Sequence, residues 1–164
     1  MPALPFAGAL LARQFVPAIK ECASMVGAES VLDFGPVFLP SIPGLANIPC
    51  GKANPYPTEK TLVVSCFALS QLTSDALAAQ LEFMHKAAPF VLLADVKVAE
   101  RNIELPASLL LRGMTGLGAS KKGCFKEYGG LEGLLYAQSP RFAVRKRYSL
   151  LGGSLACILT ECIH

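Results

Sequence analysis

Charge is scarce in this chain: only 16% of its 164 residues are Asp, Glu, Lys or Arg, against 52% hydrophobic. That excludes a disordered or purely solvating polypeptide, because so much apolar surface offsets the entropy of ordering. The 14 glycines follow no triplet period and no heptad persists, which excludes collagen-like and coiled-coil architectures. Six cysteines (Cys22, Cys50, Cys66, Cys124, Cys157, Cys162) are too few for a disulfide scaffold and include no C-x-x-C pair. Three lie in apolar strand or helix patterns, so reduced buried thiols are expected. Mean hydropathy is high at +0.45, yet no run reaches the roughly 20 apolar residues of a membrane span. The start, MPALPFAGALLARQF, has no basic opening and carries Arg13 within its apolar stretch, which argues against a signal peptide and makes the cytoplasm the expected location. The surplus of apolar surface is then expected in a subunit interface.

The length suits one core, so residues 1–164 are read as a single domain. From Phe6 to Val26, apolar residues at Leu10, Leu11, Phe15, Ile19, Cys22 and Val26 recur every three or four positions, the spacing of an amphipathic helix. Pro17 is expected to kink or divide it and Gly27 to stop it. Ser30 to Phe34 (SVLDF) reads as a short buried strand. Between Gly35 and Lys60 stand six of the twelve prolines (Pro36, Pro40, Pro43, Pro49, Pro55, Pro57), which predicts an irregular loop. Thr61 to Phe67 (TLVVSCF) and Phe90 to Val96 (FVLLADV) are strand-length apolar runs. Thr73 to Ala88 between them has a Thr at the cap position, Asp75 in the first turn and Lys86 near the end, the marks of a helix. Strand, helix, strand implies a right-handed crossover and a parallel sheet.

Beyond Val96 a charged stretch leads to a short helix at SLLLRGM, a Gly/Ser/Lys-rich loop from Thr115 to Gly123, and a short helix at Gly130 to Ala137. Phe142 to Leu150 and Leu155 to Cys162 alternate as two strands of a hairpin. Residues 97–147 hold ten Lys/Arg against four acids, whereas residues 1–96 hold five against seven. A basic half of this kind could attract an anion, but a solvated face is favoured because no nucleic-acid motif accompanies it.

This order of elements, with VLDFG, VVSCFALSQL, FVLLADV, a GGLEGL helix and an Arg-rich strand turning through LLGGS, resembles the class I S-adenosylmethionine (SAM)-dependent methyltransferases over nearly the whole chain. The resemblance implies an α/β fold: a truncated Rossmann-like methyltransferase sheet, parallel at its core, ending in an antiparallel hairpin and carrying helices on both faces. It further implies SAM as cofactor, methyl transfer to a small-molecule substrate, and a cofactor site at Asp33, Gly35, Ser65, Cys66, Phe67 and Asp95. No triad is required, since holding an electrophilic methyl in line with a nucleophile is a proximity effect. The alternative is a protein of this fold without catalysis, serving as an assembly, ligand-binding or regulatory subunit.

Two departures from the family bear on that choice. After Gly35 the chain reads Pro36, Val37, Phe38, Leu39, Pro40 where the family repeats glycine. Only 26 residues separate Phe34 from Thr61, too few for two strand-helix units. The family's second and third strands are therefore expected to be missing, along with the acid that holds the ribose; Glu59 is the sole acid in the gap. The family places its second strand beside the first, so Ser30 to Phe34 is expected on an open edge, covered by the Pro-rich loop or by a second copy or partner subunit.

The remaining polar residues carry blander expectations. His85 reads as a helix-end imidazole and His164 as a frayed terminus. No metal site is expected, because Cys157, Cys162 and His164 are spaced for alternate burial along a strand rather than for tetrahedral ligation. Cys66 is either a thiol at the crevice mouth or buried filler, with filler favoured for want of a neighbouring base. Tyr128 and Tyr136 flank GGLEGL and either pack or face a pocket. Lys121 and Lys122 belong to a loop that could close over a small anion, with plain mobility favoured. Arg145 and Arg147 are expected on one face of their strand and Lys146 on the other.

Overall fold

A computed structural model describes residues 5–34, 41–49, 59–96, 127–150, 153 and 155–164. Gly35, residues 36–40 and 50–58 of the Pro-rich stretch, SLLLRGM, Lys121, Lys122 and Cys124 lie outside the described residues. The elements in chain order are α1 (Pro5–Val26), β1 (Ser30–Phe34), β2 (Ala46–Pro49), β3 (Thr61–Cys66), a 3-10 turn (Leu69–Gln71), α2 (Ser74–Ala87), β4 (Phe90–Val96), α3 (Leu131–Ala137), β5 (Phe142–Leu150) and β6 (Leu155–Cys162). Six strands form one sheet in the order β2-β1-β3-β4-β6-β5.

β1 pairs in parallel with β3, and β3 with β4, in the registers Leu32↔Val63 and Val63↔Val91. β6 is antiparallel to β4 and closes the hairpin with β5. The central strands are continuous apolar runs because both of their faces are covered. On one face Val31, Leu62, Val64, Cys66, Leu92, Ala94, Cys157 and Leu159 meet Phe15, Ile19 and Cys22 of α1. On the other, Leu32, Val63, Val91, Leu93 and Ile158 meet Leu77, Leu81 and Met84 of α2 and Leu131, Leu134 and Leu135 of α3. Helices on both faces, a parallel core and a terminal hairpin match the architecture expected from the sequence.

Two expectations need correction. The Pro-rich stretch is not wholly irregular: Ala46–Pro49 forms β2, parallel to β1 in the register Ser30↔Ala46. The edge of β1 is therefore covered by the chain itself, in the place the family gives its second strand. β2 is four residues long, ends on a proline and lies at the border of the sheet, where the missing N–H breaks no ladder. Pro17, secondly, does not divide α1, which runs through it as one 22-residue helix. Pro17 is exposed while Phe15, Ala18, Ile19 and Cys22 are buried. Water can take the carbonyl that loses its partner, and packing of the buried face keeps both halves in one helix.

Glycine is needed at two points. Gly27, at φ +68°, ends α1 in a Schellman turn with Ala28 N–H donating to Ala23 O at 2.9 Å. Gly133 lies so close to Tyr128 that a Cβ there would stand 1.6 Å from its carbonyl oxygen. Thr73 occupies the position before α2, but its hydroxyl makes no capping bond.

The basic residues of the last strands are paired within the chain. Arg145 meets Glu161 of β6, Lys146 meets Glu21 of α1, Arg147 meets Glu132 of α3 at 2.8 Å, and Arg141 meets Glu82 of α2. Lys146 and Arg147 reach opposite helix layers, as the strand alternation expects. No helix among the described residues is long and apolar enough to cross a membrane.

Phe15, 1% exposed, packs its ring edge-on to Phe67 at 5.6 Å between centroids. Phe15→Ala should cost about 3–5 kcal/mol in urea unfolding, and a loss under 1 kcal/mol would contradict this packing. Glu82 is held down from 4.5 to about 2 by hydrogen bonds to Lys86 first and Arg141 second. Because its folded pKa is lowered, its contribution is complete above about 4.5 and disappears as pH falls through about 2. Wild-type Tm should exceed that of Glu82→Gln at pH 6, by a small, salt-sensitive margin since the group is exposed, and the curves should converge near pH 2. A gap constant across that range would refute the clasp.

Candidate functional site

Parallel pairing of β1, β3 and β4 brings their carboxyl ends to one rim. The chain leaves β1 outward toward β2 but leaves β3 in the other direction, toward β4. Connections diverge between β1 and β3, which is where open α/β sheets form a ligand crevice.

The register places the expected residues at this rim and divides them between its two sides. Phe34 stands beside Ser65 and Ser65 beside Leu93; Cys66 stands beside Ala94. Strand alternation turns Asp33 and Cys66 toward α1, with Val31 and Val64, and turns Ser65 and Asp95 toward α2, with Val63 and Leu93. All four are buried, Asp33 at 7% exposure and the others at 1%. Gly35 is the one expected site residue outside the described residues.

Each buried polar group then needs an account. Asp95 Oδ2 accepts the Ser70 backbone N–H at 3.0 Å. Among the described residues the Ser65 hydroxyl has no hydrogen-bond partner, and it sits at the rim between Phe34 and Leu93. Cys66 is pushed well above the usual thiol range by burial first, and then by Cys157 and by the carboxylates of Asp33 and Asp95. Cys157 is raised to about 12 and Cys162 to about 11, burial again the leading cause. Burial thus disfavours the Cys66 thiolate, the form that acts as a nucleophile.

Phe67 carries the one positive φ among described non-glycine residues, +57°. Its N–H donates to Ala94 O at 2.8 Å, and its ring is fully buried against Phe15. The left-handed residue turns the chain off β3 into Leu69–Gln71, whose Ser70 meets Asp95 at the end of β4. Neither the Phe67 conformation nor the Ser70 contact is legible in CFALSQL, because an aromatic carries no preference for that backbone region. A Gly or Asn at 67 would have been the signal.

Other candidates lie elsewhere. His85 Nε2 is 2.8 Å from Ile163 O, with the His164 ring 4.6 Å away. This pair sits at the last turn of α2, which leads into the start of β4 at Phe90 and hence to the opposite rim. A cavity of about 510 Å³ lined by Glu132, Tyr136, Phe142, Val144 and Arg147 borders β5. Phe142 pairs with Cys162 beside the start of β4, so this cavity is not the crevice either. Tyr136 faces it and is 86% exposed; Tyr128 is at the margin of exposure. Among the described residues no group of three or more His, Cys, Asp or Glu side chains could hold a metal ion.

No protein-family model matches the chain, and no curated protein matches it in sequence. Solved structures do match in fold. PigF with SAH aligns over 98% of this chain and 62% of its own, at 13% identity and TM-score 0.57. Human N-acetylserotonin methyltransferase in complex with SAM aligns over 96% of this chain and 51% of its own, at 14% identity and TM-score 0.53. An O-methyltransferase family 2 protein from Planctomyces limnophilus, in complex with apigenin, aligns over 82% and 42%, at 14% identity and TM-score 0.51. The chain thus has a methyltransferase-like fold and spans from about two fifths to three fifths of these proteins.

Site-resolved alkylation of the folded protein at pH 8 should leave the Cys66 and Cys157 peptides unmodified until denaturant is added. Labelling of Cys66 at the rate of a free thiol would contradict its burial.

Proposed function

We propose that this chain binds SAM at the carboxyl rim of β1 and β3 and transfers its methyl group to a small-molecule substrate. The carrying observation is the orphaned Ser65 hydroxyl, buried at 1% exposure beside the point where the connections diverge. A buried hydroxyl without a partner costs about 1–3 kcal/mol, a cost that a bound polar ligand removes. Asp33 at the end of β1 matches the family's acidic position, and the fold neighbours with SAH and SAM support the same cofactor. The residues present therefore fit the group in part.

In this proposal Asp33, Ser65 and the backbone turn at Phe67 line the cofactor, Cys66 fills the space beneath, and Asp95 fixes the turn. SAM supplies the electrophilic methyl; the chain supplies orientation and exclusion of water. The apigenin of one fold neighbour supports a small planar substrate class. A second copy or partner subunit would add at the outer edge of β2, where Ala46 and Asn47 are exposed.

One observation favours the second reading, a methyltransferase-fold subunit without catalysis. β2 fills the place of the family's second strand, yet no acid follows it before Glu59 to take the ribose hydroxyls. Both histidines, moreover, stand at the opposite rim.

Titration with S-adenosylhomocysteine should raise Tm as ln(1 + [L]/Kd). Ser65→Ala should leave the unliganded Tm unchanged or higher and weaken binding about 3–10-fold. No Tm shift at millimolar ligand would end the cofactor proposal. Binding without methyl transfer from labelled SAM to phenolic acceptors would select the second reading.

A further inference from the structure

A charged side chain at 1% exposure, placed at the end of a strand, needs a reason to be there, since an unpaired buried carboxylate costs several kcal/mol. Asp95 spends one oxygen on a backbone amide across a turn, the Ser70 N–H. The same turn is tied one residue earlier on β4, where Phe67 N–H donates to Ala94 O. Two consecutive residues of β4 thus grip both ends of a four-residue segment that opens on a left-handed phenylalanine. Such a backbone state, about 1–3 kcal/mol above the ordinary regions, persists only where its surroundings over-determine it. The Phe67 tie is backbone to backbone and survives any substitution at 95. The Ser70 tie is supplied by the Asp95 side chain.

We propose that Asp95 is a positioning residue: by holding the Ser70 amide it keeps the turn at residues 67–70, which leaves the end of β3 and walls the crevice between β1 and β3, in its ligand-ready shape. This rests on the cofactor proposal for its ligand, though not for its geometry. Asp95 touches no reacting atom and acts through Ser70. Its own backbone stays in the sheet whatever the side chain, through the pairing with Ala156, so losing the carboxylate releases the turn and leaves the strand. Ser70 and Leu69, both 1% exposed, are then freed to leave the end of β4, and Phe67 can relax to negative φ.

The experiment is amide hydrogen exchange at Ser70 by NMR, alongside S-adenosylhomocysteine affinity, in wild type, Asp95→Asn and Asp95→Ala. Asn keeps an acceptor oxygen; Ala does not. In wild type the Ser70 amide should be protected at least about a hundredfold over an open turn. Asp95→Asn should retain that protection and bind within about threefold of wild type, whereas Asp95→Ala should lose the protection and bind about tenfold or more weakly. A Ser70 amide exchanging freely in wild type overturns the proposal, as does Asp95→Ala with unchanged affinity. Should Asp95→Ala fail to fold, wild type and Asp95→Asn still decide it: loss of Ser70 protection in the Asn variant refutes the tie. Absence of binding by wild type with Ser70 protected would remove the cofactor reading and the ligand-ready role with it, while the tie itself stands.

Discussion

The parallel pairing of Ser30–Phe34 with Thr61–Cys66 is the constraint on which the rest of the molecule depends. Both strands run the same way only because the 26 residues between them return across the sheet instead of turning back as a hairpin. That return lays β2 against the outside of β1. It also sets the carboxyl ends of β1, β3 and β4 on one rim, where a crevice can open. Slipping β3 by one residue would turn Leu62, Val64 and Cys66 away from α1 and Val63 and Ser65 toward it, so the two apolar faces also fix the register.

What could be read in advance follows from how local each signal is. TLVVSCF and FVLLADV announce central strands because burial on both faces demands unbroken apolar runs. α2 announces itself through its periodicity, and the hairpin through alternation. β2 was hidden because its cause is tertiary. ANIP has weak strand propensity, and only the open edge of β1 makes a strand of it. Pro17 misleads for a related reason: its local cost is real, but packing on the far side of α1 outweighs it. At the site, Asp33, Ser65, Cys66, Phe67 and Asp95 were legible as rim residues. Their division between the two sides of the sheet follows from register, and the backbone of Phe67 follows from nothing in its side chain.

Charge tells a similar story at longer range. Counted along the chain, the second half is basic and invites an anionic partner. Counted in space, Arg141, Arg145, Lys146 and Arg147 each face an acid from α2, β6, α1 or α3. Exposed pairs of this kind add little stability each. Their effect is on specificity: the strand that ends the sheet among the described residues carries three consecutive cations, each engaged by a different element, and a bulge at Arg145. A charged, bulged edge resists pairing with another chain.

The strain at Phe67 and the orphaned hydroxyl of Ser65 belong to one physical argument. Most of the core is apolar strand and paired ladder with buried thiols among them, although Gln80 Nε2 of α2 is also buried without a partner among the described residues. At the carboxyl rim two departures stand close together, the unpartnered Ser65 hydroxyl and the left-handed Phe67. Phe67 offsets its backbone strain by burying its ring against Phe15, and Gly or Asn there would open a cavity. Ser65 has no such return: Ala would remove the unpartnered hydroxyl, a cost of about 1–3 kcal/mol, and a marginally stable domain gains nothing in stability from keeping it. An unpartnered hydroxyl at the rim where the topology opens a crevice is therefore better explained by what the crevice must hold than by what the fold needs.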